Sequence, residues 1–347
     1  MTIFSHAFER LRGGESLSRG EADELMSALV ADELSELQIA SLLAGLEVRG
    51  PRPAELAGFA AALDRHLVAL PDVPEGTIDT CGTGGAPFAT LNTSTLAALV
   101  AAAAGATVAK HGNRSASGRC GSLDVLEALG ARIDLSPART SAILRAHRFT
   151  FLNARAHHPV LARVGPLRRQ LGFRTVFNLL GPILSPARVR RQLVGVSDRR
   201  AAPIIAESLA QSGRERAWVV HGPGGLDELG LGGPTSVWSV ERGQVHRFAL
   251  DPSALGLAPD PRAEAARGGD RAHNAARFQA LLEGDPGPAA DHVILNAAAA
   301  LTVAEITPDL PSGLEAARHA LASGAARDRF HAWRAATTAA PAREERL

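Results

Sequence analysis

Residues suited to bind phosphate are concentrated in the segment 79–95, whose sequence is DTCGTGGAPFATLNTST. Gly82, Gly84 and Gly85 have no side chain, so the backbone of this segment can approach a ligand closely. An apolar stretch typical of a helix follows, with Ser94 as its expected N-cap, and the free N–H groups and positive dipole of that helix would face the loop. This is the chemistry of an anion site. A tight strand-to-helix turn is the alternative, and the glycines alone favour neither.

A second polar segment supports the anion site. Residues 108–124 read VAKHGNRSASGRCGSLD and place Lys110, His111 and Arg119 at or after the end of a predicted strand. The carboxyl ends of neighbouring parallel strands open into one crevice, so the cations Lys110 and Arg119 are expected to face the glycine loop. Two loops rich in glycine, serine and threonine at adjacent strand ends are hard to explain as turns alone. The pair therefore favours a ligand rich in phosphate.

A pair of carboxylates lies in a third segment. Asp227 and Glu228 belong to GLDELGL (225–231), which directly follows RAWVVHG (216–222), a predicted strand. Mg²⁺ binds proteins through one or two carboxylates together with substrate phosphates. Taken alone, this segment would be a solvated acidic turn. Beside a phosphate pocket, it favours a magnesium site.

The elements that must position these residues begin with a helical region. The first 70 residues predict three short helices and no strand. Ser18 with Glu21 and Ser35 with Gln38 form capping-box patterns ahead of apolar runs. Prolines at the start of the third apolar run mark the beginning of a further helix.

Beyond this region, strands and helices alternate. Besides RAWVVHG (216–222), strands are predicted over TIDTCG (77–82), ATVAKHG (106–112) and ARIDL (131–135). Residues 235–250 predict an antiparallel hairpin that turns at Arg242-Gly243. The alternation indicates a mostly parallel sheet with helices on its faces. The expected fold class is therefore α/β, with a small N-terminal helical domain over 1–70 and a larger α/β domain over 76–347.

Composition does not suggest a nucleic acid or a membrane as a partner. The 347 residues carry a formal net charge of +1, which favours neither a nucleic acid nor a membrane surface. The longest apolar run, 96–109, is too short and too rich in alanine and glycine to span a bilayer, and no signal peptide is expected. Cys81 and Cys120 are too few for a disulfide framework or a metal cluster and fit a reducing compartment. A cytoplasmic protein is expected.

The chain contains, in this order, the motifs GTGG with LNTST, KHGNRSAS, RRQLGFRTVFNLLGPILSP (168–186) and LDE. In their order and spacing these motifs resemble those of the anthranilate phosphoribosyltransferases. The similarity covers nearly the whole chain. It implies transfer of the phosphoribosyl group of 5-phosphoribosyl 1-diphosphate (PRPP) to anthranilate, with release of diphosphate, in tryptophan synthesis. It also implies Mg²⁺, a fold of the pyrimidine nucleoside phosphorylase type, a homodimer formed through the helical domains, and a returning helical segment near 163–184.

The resemblance assigns a role to each motif. The residues expected to bind PRPP are Gly82, Gly85, Thr90, Asn92, Thr93, Ser94, Thr95, Lys110, His111, Gly112, Asn113, Arg114, Ser115, Ala116, Ser117, Gly118 and Ser122. Those expected to bind anthranilate are Gly82, Asn113 and Arg168. Those expected to bind Mg²⁺ are Ser94, Asp227 and Glu228. No residue is assigned as acid, base or nucleophile, because an arylamine is essentially neutral at physiological pH. His111 and His158 are expected to have structural roles.

Three departures from the family pattern leave alternatives open. The usual Asp after GTGG is Ala86, Gly118 follows Ser117 where the family has Ser-Ser, and Leu161 stands where many members have an aromatic residue or Met. These changes bear on the number of Mg²⁺ ions, on substrate affinity and on the identity of the acceptor. The alternatives are a phosphoribosyltransferase for another aromatic amine and a non-catalytic, nucleic-acid-binding relative of the same fold. A pyrimidine nucleoside phosphorylase is disfavoured, because the glycine loop lacks a preceding Lys-His.

Overall fold

The N-terminal part of the protein is helical. The computed structural model describes residues 2–114 and 120–339. Four helices come first in it: α1 (Ile3–Arg12), α2 (Arg19–Val30), α3 (Glu36–Arg49) and α4 (Pro53–Asp64). The prediction of three helices was wrong, because α1 forms as well. Its residues Ala7 and Leu11 are buried in the same core as α2, α3 and α4.

Both predicted capping boxes are present. Ser18 Oγ accepts the N–H of Glu21, while the Glu21 carboxylate accepts the N–H of Ser18. Ser35 and Gln38 make the same reciprocal pair at the start of α3. Each box satisfies two N–H groups near the helix N-terminus, where the first turn has no intrahelical partners. Local sequence is therefore sufficient to mark where α2 and α3 begin.

A seven-stranded sheet forms the centre of the larger domain, in the order β3-β2-β1-β4-β5-β6-β7. Its strands are β1 (Ile78–Gly82), β2 (Val108–Gly112), β3 (Phe149–Asn153), β4 (Arg191–Gly195), β5 (Arg216–His221), β6 (Thr235–Glu241) and β7 (Gln244–Leu250). Strands β1 to β5 are parallel, and β6 and β7 are antiparallel additions at one edge. The expected fold class, a small helical domain followed by a larger α/β domain with a mostly parallel sheet, is confirmed.

Helices cover both faces of the sheet. The further helices are α5 (Thr93–Ala103), α6 (Ser122–Ala128), α7 (Pro137–His147), α8 (Ala154–His157), α9 (Val164–Leu171), α10 (Phe177–Ile183), α11 (Ala201–Gln211), α12 (Arg271–Leu282), α13 (Pro288–Val303), α14 (Leu310–Ala322) and α15 (Ala325–Thr338). On β5, Trp218 packs in the core shared with α5 and α13, while Val219 packs in the core shared with α4 and α11. Successive side chains of a strand point to opposite faces, so both faces of the sheet are buried. Within the described ranges, each helix is too short or too polar to cross a lipid bilayer.

One predicted strand was wrong. In ARIDL (131–135), Ala131 and Ile133 are buried, but the segment pairs with no strand in the described part of the chain. The strand beside β2 is instead β3, which follows α7. Alternation of apolar residues predicts which side chains are buried, whereas a strand also needs a neighbour for its backbone hydrogen bonds. The predicted hairpin of β6 and β7 is confirmed, and it turns at Arg242 and Gly243 with φ angles of 48° and 81°.

The strand order determines where a ligand can bind. From β1 the chain proceeds to β2 and β3 on one side, whereas β4 and β5 lie on the other side. The connections therefore diverge between β1 and β4, and the carboxyl ends of the strands open there into a crevice. The glycine loop follows β1 and the acidic segment 225–231 follows β5, so both lie at this edge of the sheet.

Candidate functional site

Two paired glycines let the acidic segment lie over the ends of β1 and β4. Gly82 and Gly195 are register partners at these strand ends. A Cβ atom on Gly82 would lie 2.8 Å from Oδ2 of Asp227, and a Cβ atom on Gly195 would lie 1.6 Å from the Asp227 carbonyl oxygen. At Gly195 only glycine permits this approach of the Asp227 backbone, whereas a side chain at Gly82 would displace the Asp227 carboxylate. The structure therefore brings the glycine loop and Asp227 into contact.

Helix α5 begins earlier than predicted. Its N-cap is Asn92, which has a φ of 60°, and the expected N-cap Ser94 lies instead in the first turn. Asn274 holds this turn in place, because its Nδ2 donates to Oδ1 of Asn92 at 2.8 Å and to the carbonyl of Thr90 at 3.0 Å. The Ser94 hydroxyl is therefore not used as a cap and lines the crevice.

Two hydroxyls at the start of α5 are left without partners. Thr93 Oγ1 and Thr95 Oγ1 are buried and accept or donate no hydrogen bond within the described residues. A buried polar group without a partner costs about 1–3 kcal/mol. A ligand oxygen or a water molecule at this helix terminus would offset that cost. Both residues belong to the set predicted to bind PRPP.

The three predicted metal ligands line one small cavity. Ser94, Asp227 and Glu228 surround it together with Thr80. Lys110 reaches the same place from β2, and its Nζ donates to Ser94 Oγ at 3.1 Å and to the carbonyl of Thr80. Residues that the sequence places on separate segments thus converge on one side of the crevice.

The charges in this cavity depend on one another. Burial, and next the neighbouring carboxylate of Glu228, raise the pKa of Asp227 to about 6. Burial lowers the pKa of Lys110, an effect that nearby carboxylates, Asp79 first, partly oppose. Two carboxylates and a hydroxyl facing a common cavity are a set of hard oxygen donors, which is the set that Mg²⁺ prefers. The residues present therefore fit a divalent cation.

The two histidines near the site make structural hydrogen bonds. Both ring nitrogens of His111 face acceptors, one on Asp79 and the other the carbonyl oxygen of Gly181 at 2.9 Å. Although burial by itself raises the pKa of Asp79, the contact with His111 lowers it overall. His158 donates from Nε2 to the carbonyl of Leu184 at 3.0 Å, and burial lowers the pKa of its ring to about 4. These contacts match the structural roles expected from the sequence.

The second polar segment is described only in part. Asn113 is exposed, and its carbonyl accepts a hydrogen bond of 3.4 Å from the Ser122 hydroxyl at the start of α6. Arg114 is also exposed and forms an ion pair with Glu127 of α6 at 2.7 Å, so acidic residues of α6 hold its guanidinium. Four residues predicted to bind PRPP lie outside the described ranges, namely Ser115, Ala116, Ser117 and Gly118. Arg119, one of the two cations expected to face the glycine loop, also lies outside them.

Arg168, the predicted anthranilate residue, is partly buried on α9. Its Nη2 donates to Oδ1 of Asn178 at 3.1 Å, and its guanidinium carbon lies 5.5 Å from the centre of the Phe177 ring. Burial, and then the charge of Arg174, lower its pKa. Among residues 2–114 and 120–339, no carboxylate forms an ion pair with Arg168. A guanidinium held in place without a counter-ion is suited to bind a planar carboxylate.

Arg174, to which the sequence assigns no role, forms hydrogen bonds with the glycine loop. Its Nη1 donates to the carbonyl of Gly84 at 3.2 Å, and its Nη2 donates to the carbonyl of Thr83 at 3.1 Å. The hydroxyl of Ser197 donates to the same Gly84 carbonyl at 2.7 Å. A Cβ atom on Gly85, whose φ is 88°, would lie 1.7 Å from Arg174 Nη1. The positive φ of Gly85 favours glycine, and a side chain there would displace the guanidinium of Arg174 from the loop.

A local signal could have separated Arg174 from its neighbours. Gly172 follows α9 with a φ of 69° and ends the helix, so Arg174 lies beyond the helix that carries Arg168. Asn178, which holds Arg168, is not among the residues that the sequence assigns to the site. His292 and Asn296 on α13 contact the acidic segment and carry no local signal, because both lie in an apolar helix far from it in the sequence.

Family models and curated relatives match nearly the whole chain. The model of the glycosyl transferase family, helical bundle domain, matches residues 5–67, and the model of the glycosyl transferase family, a/b domain, matches residues 75–327. An anthranilate phosphoribosyltransferase from Thermomicrobium roseum is 46% identical over 332 residues, which cover 94% of this chain and 95% of that protein.

Solved structures of such enzymes are similar over the same extent. The anthranilate phosphoribosyltransferase from Thermus thermophilus has a TM-score of 0.90 and 43% identity, with 96% of this chain and 99% of that chain covered. The enzyme from Saccharomyces cerevisiae in complex with PRPP and Mg has a TM-score of 0.87 and 26% identity, with 96% and 98% covered. The yeast enzyme in complex with 4-fluoroanthranilate has a TM-score of 0.85 and 25% identity, with 96% and 97% covered.

Proposed function

The chain belongs to the anthranilate phosphoribosyltransferase family and transfers the 5-phosphoribosyl group of PRPP to anthranilate, and on this basis we propose which of its residues bind each substrate and the metal ion. The bond between C1 of the ribose and the diphosphate oxygen breaks, and a bond between C1 and the amine nitrogen forms. The electron pair of the broken bond leaves with diphosphate. The main requirement is therefore electrostatic stabilisation of the leaving group, together with correct placement of the amine.

PRPP binding is assigned to the glycine loop, the N-terminus of α5 and the segment after β2. The loop and the first turn of α5 lie at the crevice, and the N-terminus of a helix suits phosphate oxygens. The unpartnered hydroxyls of Thr93 and Thr95 support this assignment. Lys110 contributes a buried positive charge beside Ser94. For His111 we propose a supporting role, since its ring is occupied by Asp79 and Gly181.

Mg²⁺ binding is assigned to Ser94, Asp227 and Glu228. The shared cavity and the raised pKa of Asp227 support the assignment, because a cation there would stabilise the ionised carboxylates. The structure of the yeast relative holds both PRPP and Mg. When bound, the cation would supply positive charge to the leaving diphosphate.

Anthranilate binding is assigned to Arg168, Asn113 and Gly82. The planar fork of Arg168 is held by Asn178 and lacks a carboxylate partner within the described residues, which supports its pairing with the anthranilate carboxylate. The amine is neutral in water, so it attacks without a base and loses its proton to solvent after the bond to C1 has formed. A yeast relative solved with 4-fluoroanthranilate supports an acceptor of this class.

The observation that carries this proposal is the convergence of the glycine loop, Ser94 and the two carboxylates at the carboxyl ends of β1 and β4. A product assay with PRPP and anthranilate, with and without Mg²⁺, tests it. The double variant Asp227→Ala with Glu228→Ala is expected to fold, as judged by circular dichroism, and to lose most of the Mg²⁺-dependent turnover. Turnover equal to that of the unmodified protein at low Mg²⁺ would refute the metal assignment.

The helical domain is the proposed site of dimer formation. We propose that residues 1–70 and a returning segment near 163–184 form this domain, that 76–347 form the α/β domain, and that two copies associate through the helical domains. In support, Leu37 and Val48 on α3 are 81% and 90% exposed. Their spacing of 11 residues corresponds to three full helical turns, so they share one face.

One measurement tests the proposed assembly. Leu37→Asp with Val48→Asp is expected to convert a dimer into a monomer in light-scattering chromatography. The same molar mass for the variant and the unmodified protein would contradict this interface.

We also propose that the enzyme acts in the cytoplasm. Cys81 and Cys120 are both free thiols, which fits a reducing compartment.

A further inference from the structure

Two side chains on one face of α13 hold the acidic segment. His292 donates from Nε2 to Oε1 of Glu228 at 3.0 Å. Asn296 accepts the N–H of Leu229 at 3.0 Å and donates to the Leu229 carbonyl at 2.9 Å. Residues four apart lie one above the other on a helix, so a single face of α13 fixes both the backbone and the carboxylate of this segment.

The contact between His292 and Glu228 is enclosed by protein. The two residues are 1% and 7% exposed. A carboxylate accepts hydrogen bonds, so the proton of the imidazole has to lie on Nε2. The second carboxylate oxygen, Oε2, has no hydrogen-bond partner in the described residues, and Glu228 lines the cavity together with Ser94 and Asp227. One oxygen of Glu228 is thus held and the other is left for a ligand.

Helix α13 also packs against the helix that carries Ser94. It packs along α5, which carries Ser94 in its first turn, and both helices lie on the same face of the sheet. A carboxylate without an outer partner can rotate about its side-chain bonds, and ordering it on cation binding then costs free energy. Partners of this kind that orient metal ligands typically change metal affinity by about 10- to 100-fold.

We propose that His292 is a positioning residue that orients Glu228 as an oxygen ligand of the divalent cation. The inference rests on the metal site assigned above to Ser94, Asp227 and Glu228. His292 itself does not contact the cation or a substrate in this scheme. It acts by holding Oε1 of Glu228, so that Oε2 faces the cavity.

Direct Mn²⁺ binding tests the proposal without turnover. The full-length protein is titrated with Mn²⁺ in the presence of PRPP and the absence of anthranilate, and free Mn²⁺ is followed by electron paramagnetic resonance. His292→Leu removes the donor, and His292→Gln keeps an N–H donor at similar reach. Thr302→Val is the matched control, because the Thr302 hydroxyl is buried on the same helix and donates only within α13, to Ala298 at 2.9 Å. Circular dichroism and thermal unfolding verify the fold of each variant.

The expected result is a loss of Mn²⁺ affinity of about 10-fold in His292→Leu, a smaller loss in His292→Gln, and no change in Thr302→Val. The anthranilate KM should stay unchanged in all three, whereas general damage to the fold would raise it. Equal Mn²⁺ affinity in His292→Leu and the unmodified protein would overturn the proposal. If Asp227→Ala with Glu228→Ala also binds Mn²⁺ as the unmodified protein does, the metal site itself is wrong, and the two failures are thereby distinguished.

Discussion

Arg168 donates a hydrogen bond from Nη2 to the side-chain oxygen of Asn178, 3.1 Å away, across the turn that joins α9 to α10. The same oxygen accepts the backbone N–H of Thr175 at 3.0 Å, so Asn178 is itself anchored. The ring of Phe177 lies against the guanidinium. The orientation of the residue proposed to bind anthranilate is therefore set by its neighbours on α10 before the substrate enters.

Asn178→Ala should raise the anthranilate KM about 5-fold, because a hydrogen bond of this type contributes about 1 kcal/mol. The effect acts through Arg168, so the double variant Arg168→Ala with Asn178→Ala should be no worse than Arg168→Ala alone. Steady-state kinetics of the two single variants and the double variant measure this coupling. Fold-increases in KM that multiply in the double variant, and so add in free energy, would mean that Asn178 acts independently of Arg168.

Arg168→Ala should raise the anthranilate KM by about 10- to 100-fold, because a hydrogen bond to a charged group contributes about 1.5–3 kcal/mol to binding. The carboxylate keeps its charge from ground state to transition state, so kcat should change far less. Arg168→Lys should recover part of the loss, since a point charge cannot replace the planar fork. Arg169→Ala, an exposed neighbour, is the control. A larger loss for PRPP than for anthranilate would assign Arg168 to the phosphate site.

Arg174→Ala should raise the KM for PRPP about 5- to 10-fold, because the glycine loop loses two hydrogen bonds to its carbonyls. Ser197→Ala removes one donor from the same Gly84 carbonyl and should have a smaller effect in the same direction. Initial rates at fixed saturating anthranilate check both variants. An increase confined to the anthranilate KM would show that Arg174 serves the acceptor side instead of the loop.

His158 should make the protein less stable in acid. Its pKa is lowered from 6.5 to about 4 by burial, so between these values the unfolded chain binds a proton that the folded chain does not. Stability is therefore retained above about pH 6.5 and falls as the pH decreases towards 4, by at most about 3 kcal/mol for this residue. Urea unfolding at pH 7.5 and pH 5 measures the slope.

His158→Gln is the comparison for this prediction. Gln keeps an N–H that can donate to the carbonyl of Leu184 but does not titrate, so the difference between the two proteins should shrink as the pH falls. Other buried histidines such as His157 shift in the same direction and remain in both proteins, so they cancel in the comparison. Parallel pH slopes for the two proteins would show that His158 does not contribute.

Much of the fold could be predicted because its signals are local. The capping boxes at Ser18 and Ser35 require only residues three positions apart, and the hairpin turn at Arg242 and Gly243 requires only two adjacent residues that tolerate positive φ. The glycine loop, the cationic segment after β2 and the carboxylates after β5 are also visible, since each follows directly from a strand. Parallel strands then place such segments at one edge of the sheet.

The failures have a common physical cause. ARIDL has the alternation of a strand, yet β3 takes the place beside β2, because backbone pairing depends on which segments the chain brings together. Ser94 has the side chain of an N-cap, yet Asn92 caps α5, because Asn274 from a distant helix holds Asn92 in the left-handed conformation. In both cases a residue far away in the chain overrides a local preference.

The residue types that bind phosphate, metal and acceptor were readable from the chain, because the chemistry of a glycine loop, a pair of carboxylates or an arginine belongs to the residues themselves. Their orientation was not. Asn178 holds Arg168, Arg174 holds the glycine loop, and His292 holds Glu228, and each contact joins separate elements of the fold. Such contacts form only when helices and strands pack, and packing depends on the whole set of buried surfaces, which no short stretch of sequence contains.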